Sequence, residues 1–442
     1  MIVSPNTSVM PISASVNDAG HLVLGGCDTV KLAEEFGTPL YLIDEATIVA
    51  SIAACSAGLS SYRNSRILYA GKAFLCTAMC RLIAKHGLGL DVVSEGELYT
   101  AIQADFPGQL LFLHGNNKSE REIEMALSYG QVRIVVDNSS ELELIAATAK
   151  RLGKTVSIML RLIPGVTPDT HQHTQTGQSD SKFGIPLDEL DSMIEQALRH
   201  KDVLKLLGLH AHIGSYILDL KPFVESVNVL ADTYAKVKDA FALELPDLDV
   251  GGGLGVAYTE DSKPISLFEW AQAMAEHTTS AFGERHLKLP NLFVEPGRSI
   301  VGTAGVTIYR VGHCKQVSGS RYIAVDGGMA DNPRPITYQA RYTAAVANRM
   351  HAPACAQPTT LVGRFCESGD IIVKDANLSA DTGDLIAVFA TGAYHYSQAS
   401  NYNRTGRPAC LLVNNGVAEV IIERESNSDL TRLDRIPDRL KR

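Results

Sequence analysis

Lys72 closes an apolar run, Ile67-Leu68-Tyr69-Ala70-Gly71, directly ahead of a stretch with helical spacing that begins near Phe74. A lysine at the tip of a buried strand loses water unless it gains a partner. Desolvation lowers the pKa of such an amine and frees it to attack a carbonyl carbon. Two distant segments suggest which carbonyl. Asp249–Gly255 reads DVGGGLG, and Glu295–Arg298 reads EPGR. Consecutive glycines let backbone N–H groups converge on a phosphate, and the glutamate supplies a carboxylate at a strand end. A nucleophilic amine, a phosphate cradle and a carboxylate are among the groups that hold pyridoxal 5'-phosphate.

Each residue also has a plainer reading. The run Gly251–Gly253 could be a bare turn, and Glu295 could cap a loop rather than pair with a pyridine nitrogen. His210 and His212 are spaced i, i+2 and so share one face of a strand. They could fill core positions, bind a metal, or present a flat ring to a planar cofactor. No neighbouring Cys or carboxylate in the sequence completes a metal site, and none is expected. His171 and His173 fall in a polar stretch, His171–Asp180, that reads as a mobile loop. Cys366, followed by Glu367 in CESGD, is either a small buried hydrophobe or a proton donor.

The elements that must position these residues alternate from Ile67 to Glu295. Short apolar strands are predicted at Ile67–Tyr69, Leu88–Val92, Leu110–Leu113, Arg133–Val136, Val156–Leu162, Leu206–His212, Leu245–Val250 and Leu292–Glu295. Helical stretches fill the gaps. Those opening at Ser94 and Ser119 have Glu97 and Glu122 three residues on, the pattern of a capping box, and a third opens at Ser139. Strand–helix repetition implies parallel strands, and eight of them suit a closed (β/α)8 barrel, with a doubly wound open sheet as the alternative. Barrel chemistry gathers at the C-terminal strand tips, which here carry Lys72, Asp91, His114, Asp137, Arg161, His212, Gly251–Gly253 and Glu295. In that fold the seventh strand often borders a phosphate, which favours the cradle reading of the glycines.

After Gly302 the pattern shifts to strands separated by Gly or Asn turns: Thr303–Val311, Tyr322–Asp326, Asp370–Val373, Leu385–Phe389, Ala409–Val413 and Val417–Glu423. His21–Asp44 also reads as strand and turn. The expected architecture is therefore α/β, a barrel over residues 45–300. A mostly antiparallel β domain would be built from 1–44 and 301–442, with the charged tail from Arg424 on the surface.

Composition excludes several classes. The 442 residues are 45% hydrophobic and 20% charged, as in an ordinary globular protein. A net charge of −9 without a Lys/Arg stripe argues against nucleic acid. The eight cysteines lack CxxC spacing and read as reduced thiols, consistent with a cytoplasmic protein. Met1–Ser15 lacks a signal-peptide pattern, and no run is long and apolar enough to span a membrane.

Taken together, the motifs resemble the fold-type III pyridoxal-phosphate decarboxylases from about His21 to about Asn415. The matching segments are YAGKAF around Lys72, GLDVVSEGEL at Gly89–Leu98, HGNNKS at His114–Ser119, SKFG at Ser181–Gly184 and GLHAHIGS at Gly208–Ser215. They continue with DVGGGLG, EPGRSIVG, DGGMADNPRP ending at Pro335, CESGD, and GAYHYSQASNYN from Gly392. Each is weak alone, but this many in order is specific.

The resemblance implies that Lys72 carries the cofactor as an imine and that His212 stacks on its ring. Ser215, Gly252 and Gly253 would hold its phosphate, Glu295 its ring nitrogen, and Gly297, Arg298 and Tyr394 would border it. Arg298, Arg334, Tyr338, Glu367 and Tyr394 would recognise the far end of a small amino-acid substrate. Cys366 would donate a proton in the partner subunit's site, which makes the protein a homodimer. Two arginines at the distal end suit a second substrate carboxylate, gripped bidentately. Ornithine- or arginine-type decarboxylases of the same fold are the alternative, and a catalytically silent binding protein is another, disfavoured by retention of Lys72, Glu295 and Cys366. The chain departs from the family at Arg364-Phe365, where many members carry Pro-Ile, and at Tyr216, where Gln or Asn is common.

Overall fold

The computed structural model describes residues 3–167, 181–355 and 357–441. The stretch His171–Asp180 lies outside them. The chain divides into two compact units: Met1–Ser8 with Val49–Ala257 and Asp261–Gly302, and Val9–Ile48 with Tyr258–Glu260 and Thr303–Arg442.

In the first unit eight parallel strands close into a barrel. They are β1 (Ser65–Ala70), β2 (Gly89–Val92), β3 (Leu111–Leu113), β4 (Arg133–Val136), β5 (Val156–Leu162), β6 (Leu204–Ala211), β7 (Asp247–Asp249) and β8 (Asn291–Val294). Neighbours follow chain order and β8 pairs with β1, so the barrel is closed rather than an open sheet. Leu68, Phe112, Val135, Met159 and Phe293 fill its interior. Arg133, at the start of β4, lies over the Phe112 ring at 4.7 Å and pairs with Asp247 at the start of β7, 2.9 Å away. That ion pair sits at the N-terminal end of the strands, leaving the opposite end to polar groups.

Helix starts differ in detail from the Ser-x-x-Glu reading. Ser119 makes the full reciprocal box with Glu122. Ser94 accepts from the Glu97 N–H, but the Glu97 carboxylate accepts from Val93 rather than from Ser94. The helix Ser139–Leu152 is capped by Asn138, whose carboxamide accepts from the Glu141 N–H. In each case the side chain that reaches the free N–H fixes the start.

The second unit holds a nine-stranded sheet whose main path runs Ile371–Ala376, Thr359–Val362, Ser320–Val325, Gly305–Val317, Leu40–Asp44, Ala409–Asn414 and Val417–Ile422. Leu385–Phe389 pairs with Gly305–Val317 and with Ala344–Val346. Most pairs are antiparallel; Ala409–Asn414 lies parallel to Leu40–Asp44, and Ser320–Val325 parallel to Thr359–Val362. Alternate residues Leu40, Leu42, Val306, Ile308, Leu385, Ala387, Leu411 and Val413 share one core. The segment read as strand and turn also contains a helix, Thr29–Phe36, capped by Asp28. All eight cysteines are free, and no described helix is long and apolar enough to cross a membrane.

Candidate active site

The barrel's C-terminal strand ends gather the expected side chains. Lys72 lies in the 3-10 turn Gly71–Ala73 after β1, braced by Tyr69, whose hydroxyl donates to the Phe74 carbonyl at 2.8 Å. Asp91 and Arg161 are the last residues but one of their strands, His114, Asp137 and His212 follow theirs, and the glycine run and Glu295 follow β7 and β8.

Glu295 is the electrostatic centre of this end. His114 Nε2 lies 3.0 Å from its Oε1, and His210 Nε2 lies 3.4 Å from its Oε2, with all three residues buried. Burial alone would raise the Glu295 pKa, but the two imidazoles outweigh it and hold the carboxyl well below the usual carboxylate range. Asp249 is pushed the other way, well above its usual value, by burial and by the Glu295 charge. Burial draws His210 down to about 4. The two carboxyls are thus pushed apart, Glu295 toward its charged form and Asp249 toward its neutral one.

No local spacing reveals this cluster. His114, His210 and Glu295 place one ligand atom each within 4.8 Å of one another. A carboxylate therefore does stand beside His210, contrary to the sequence reading, because barrel closure brings β3, β6 and β8 to one depth. Both imidazoles address the carboxylate itself.

The glycine loop has the shape of a cradle. A Cβ on Gly252 would stand 2.0 Å from the Glu295 carbonyl oxygen, and one on Gly253, where φ is +115°, would stand 2.2 Å from that of Gly214. The Gly252 N–H donates to His212 Nδ1 at 3.3 Å, while the Gly253 N–H has no hydrogen-bond partner among the described residues. His212 is pulled well below its usual pKa by burial and by the charges of Lys72 and Arg161. A neutral ring accepting at Nδ1 carries its proton on Nε2. Ser215 accepts from the buried Arg298 guanidinium at 2.7 Å, and Gly297 packs against Ala70. The second unit gathers the other expected residues in two places. Arg334 is buried, donates to the Tyr342 hydroxyl at 2.8 Å, and faces the rings of Tyr258, Tyr338 and Tyr394 at 5.3 to 5.8 Å. Burial works against its charge, yet the surrounding tyrosines raise its pKa further. Cys366 and Glu367 lie on an exposed loop, so the cysteine is not a buried hydrophobe. Asp370 holds that loop by accepting from the Phe365 and Met329 amides at 2.9 and 2.7 Å. Tyr402 donates to Glu367, and the Cys366 N–H donates to Asn403.

These residues suit pyridoxal phosphate. Asp91 Oδ1, His114 Nε2, Asp249 Oδ2 and Glu295 Oε1 are buried without a well-formed hydrogen bond. Such a group of atoms calls for a ligand. An ionised Glu295 would suit a protonated ring nitrogen, and the Gly253 amide, without a partner among the described residues, would suit a phosphate oxygen. Residues 46–302 match the family described as pyridoxal-dependent decarboxylase, pyridoxal binding domain. The chain belongs to the pyridoxal-dependent decarboxylases.

Among curated members of this family, the diaminopimelate decarboxylase of a Synechocystis strain is 44% identical, over 99% of this chain and 95% of its own length. That of Bacillus subtilis is 44% identical over 95% and 96%. The solved diaminopimelate decarboxylase of M. jannaschii superposes with a TM-score of 0.90 at 34% identity, covering 97% of this chain and 99% of its own. The same enzyme in complex with L-lysine superposes at 0.89 with 33% identity, covering 97% and 99%. Within this decarboxylase, sequence reasoning named Tyr338 and Tyr394 but did not assign His114, Asp249, Tyr258 or Tyr342 to a site. A strand-tip position was the one signal for His114, and nothing in the sequence marked Tyr258 or Tyr342.

Proposed function

We propose that this decarboxylase acts on meso-diaminopimelate, releasing CO2 and L-lysine. The observation that carries the substrate is Arg334: a buried guanidinium, ringed by tyrosines, with no carboxylate partner among the described residues. A buried cation without a counter-ion is costly, and a substrate's distal carboxylate would offset that cost. The names of the similar enzymes point the same way. Ornithine, which ends in an amine alone, leaves this guanidinium unpaired.

Bound pyridoxal phosphate supplies an aldehyde carbon for amine attachment and an electron-withdrawing ring. Lys72 would hold the cofactor through its Nζ. Ser215, Gly252 and Gly253 bind the phosphate, with Gly297, Arg298 and Tyr394 bordering the cofactor. His212 would stack its neutral ring against the cofactor. Glu295, held anionic, would pair with the ring nitrogen and favour its protonated form. Arg298, Arg334, Tyr338, Glu367 and Tyr394 grip the distal amino-acid end. Cys366, from the partner subunit of a homodimer, delivers its thiol proton to the carbon that lost CO2.

The test is CO2 release by the purified holoenzyme from meso-diaminopimelate, ornithine and lysine, repeated with Arg334→Ala. Turnover of diaminopimelate alone, with a loss on the order of 2–5 kcal/mol in the variant's kcat/KM, supports the reading. Preferred turnover of ornithine would sink it.

A further inference from the structure

The first residues of the chain form a hook on the barrel unit. Pro5–Thr7 is a single 3-10 turn, and Asn6 within it is fully buried. Its Nδ2 donates to the carbonyls of Gly255 at 3.2 Å and Ile265 at 2.8 Å. Its Oδ1 accepts from the Leu267 N–H at 2.9 Å, and its own carbonyl accepts from the Ala257 N–H at 2.8 Å. Ser4 Oγ accepts from the Phe268 N–H at 3.2 Å. The hook therefore caps the helix Leu267–Glu284 and grips the end of the glycine loop together.

The other edge of that loop is also held. The Ile217 N–H donates to Gly253 at 3.0 Å, and the Gly255 N–H donates to Ile217 at 2.9 Å. Gly253–Gly255 is thus clasped between Ile217, two residues past Ser215, and Asn6. A glycine-rich segment loses much conformational freedom when ordered, so a clasp formed before the ligand arrives lowers the cost of binding. Only a carboxamide fits here. Aspartate would keep the bond to Leu267 but set an anion against two carbonyl oxygens.

We propose that Asn6 is a positioning residue that preorganises the phosphate-cradling glycines, so that the N-terminal hook sets how tightly the cofactor's phosphate is held. This rests on the reading of Gly252 and Gly253 as the cradle.

The experiment titrates the full-length apoprotein with pyridoxal phosphate and, separately, with pyridoxal, which lacks the phosphate. Wild type is compared with Asn6→Ala, Asn6→Asp and Tyr62→Phe. The last removes a buried hydrogen bond to Pro290 elsewhere in the same unit and controls for general loosening. Both Asn6 variants are expected to bind pyridoxal phosphate about tenfold more weakly while pyridoxal affinity stays within about twofold. Tyr62→Phe should move neither. If Asn6→Ala does not fold, Asn6→Asp, which keeps the Leu267 cap, decides the matter. Equal weakening for both ligands, or unchanged pyridoxal phosphate affinity, overturns the proposal. A wild type that binds both ligands equally well would instead overturn the cradle reading itself.

Discussion

His114 Nε2 stands 3.0 Å from Oε1 of Glu295, at a depth where neither residue meets solvent. With His210 on the other oxygen, the pair keeps an ionised carboxylate in a place where burial alone would neutralise it. A charge so held can keep a proton on a cofactor ring nitrogen throughout turnover. Glu295→Gln is expected to retain the fold and bind cofactor but lose about a hundredfold or more in kcat, the scale of a preorganised electrostatic contact. Stopped-assay kcat on the cofactor-loaded variant checks this. A rate within threefold of wild type would remove Glu295 from the reaction.

Asp331 gives the second unit a pH signature. It is buried and accepts from Tyr309 at 2.5 Å and from the Gly328 N–H at 3.0 Å. Burial raises its pKa from 3.8 to about 7, despite those two donors. The folded state then holds a proton that the unfolded chain releases near pH 4. Its contribution is complete below that pH and is lost as pH rises through about 7, by up to a few kcal/mol. Asp331→Asn should flatten this fall, being more stable than wild type at pH 8 and no more stable at pH 5. Urea midpoints at the two pH values measure it, and parallel profiles for the two proteins would contradict it.

Active sites shared across a homodimer, as proposed, predict complementation. Lys72→Ala and Cys366→Ala chains, each inactive, should regain up to roughly a quarter of wild-type activity when mixed under conditions of subunit exchange. Random pairing gives half heterodimers, each with one intact site of two. No recovery, with exchange demonstrated by mass, would place the cysteine in its own chain's site or outside the reaction.

The barrel was legible because most of its strands lie in apolar runs followed by a polar residue or glycine, and β4 and β5 match their expected ranges residue for residue. Short or locally ambiguous pieces were not. Ala344–Val346 and Thr359–Val362 are too brief to show alternation, and Thr29–Phe36 offers only two turns of helix. The polar segment around Asn6 has no periodicity, since its role is set by partners some 250 residues away. Lys72, His212 and Glu295 could be proposed from type and position, and Arg334 from the family resemblance. The clamp on Glu295 and the approach of Tyr258 to Arg334 depend on tertiary closure, which spacing along the chain does not encode.

The most direct measurement asks which lysine carries the cofactor. Lys72 and Lys118 both lie near the C-terminal ends of barrel strands, and their surroundings differ. Lys118 is buried and donates to the Gly115 carbonyl, the Val135 carbonyl and the Glu141 carboxylate at 2.8, 2.6 and 2.8 Å, which commits all three of its N–H groups. Lys72 stands at the strand tip beside His212. Borohydride reduction of the holoenzyme, proteolysis and mass mapping should find the pyridoxyl group on the peptide containing Lys72, and Lys72→Ala should abolish both the label and steady-state turnover. A label on Lys118, or a Lys72→Ala chain that still traps the cofactor at another lysine and turns over near the normal rate, would contradict the assignment.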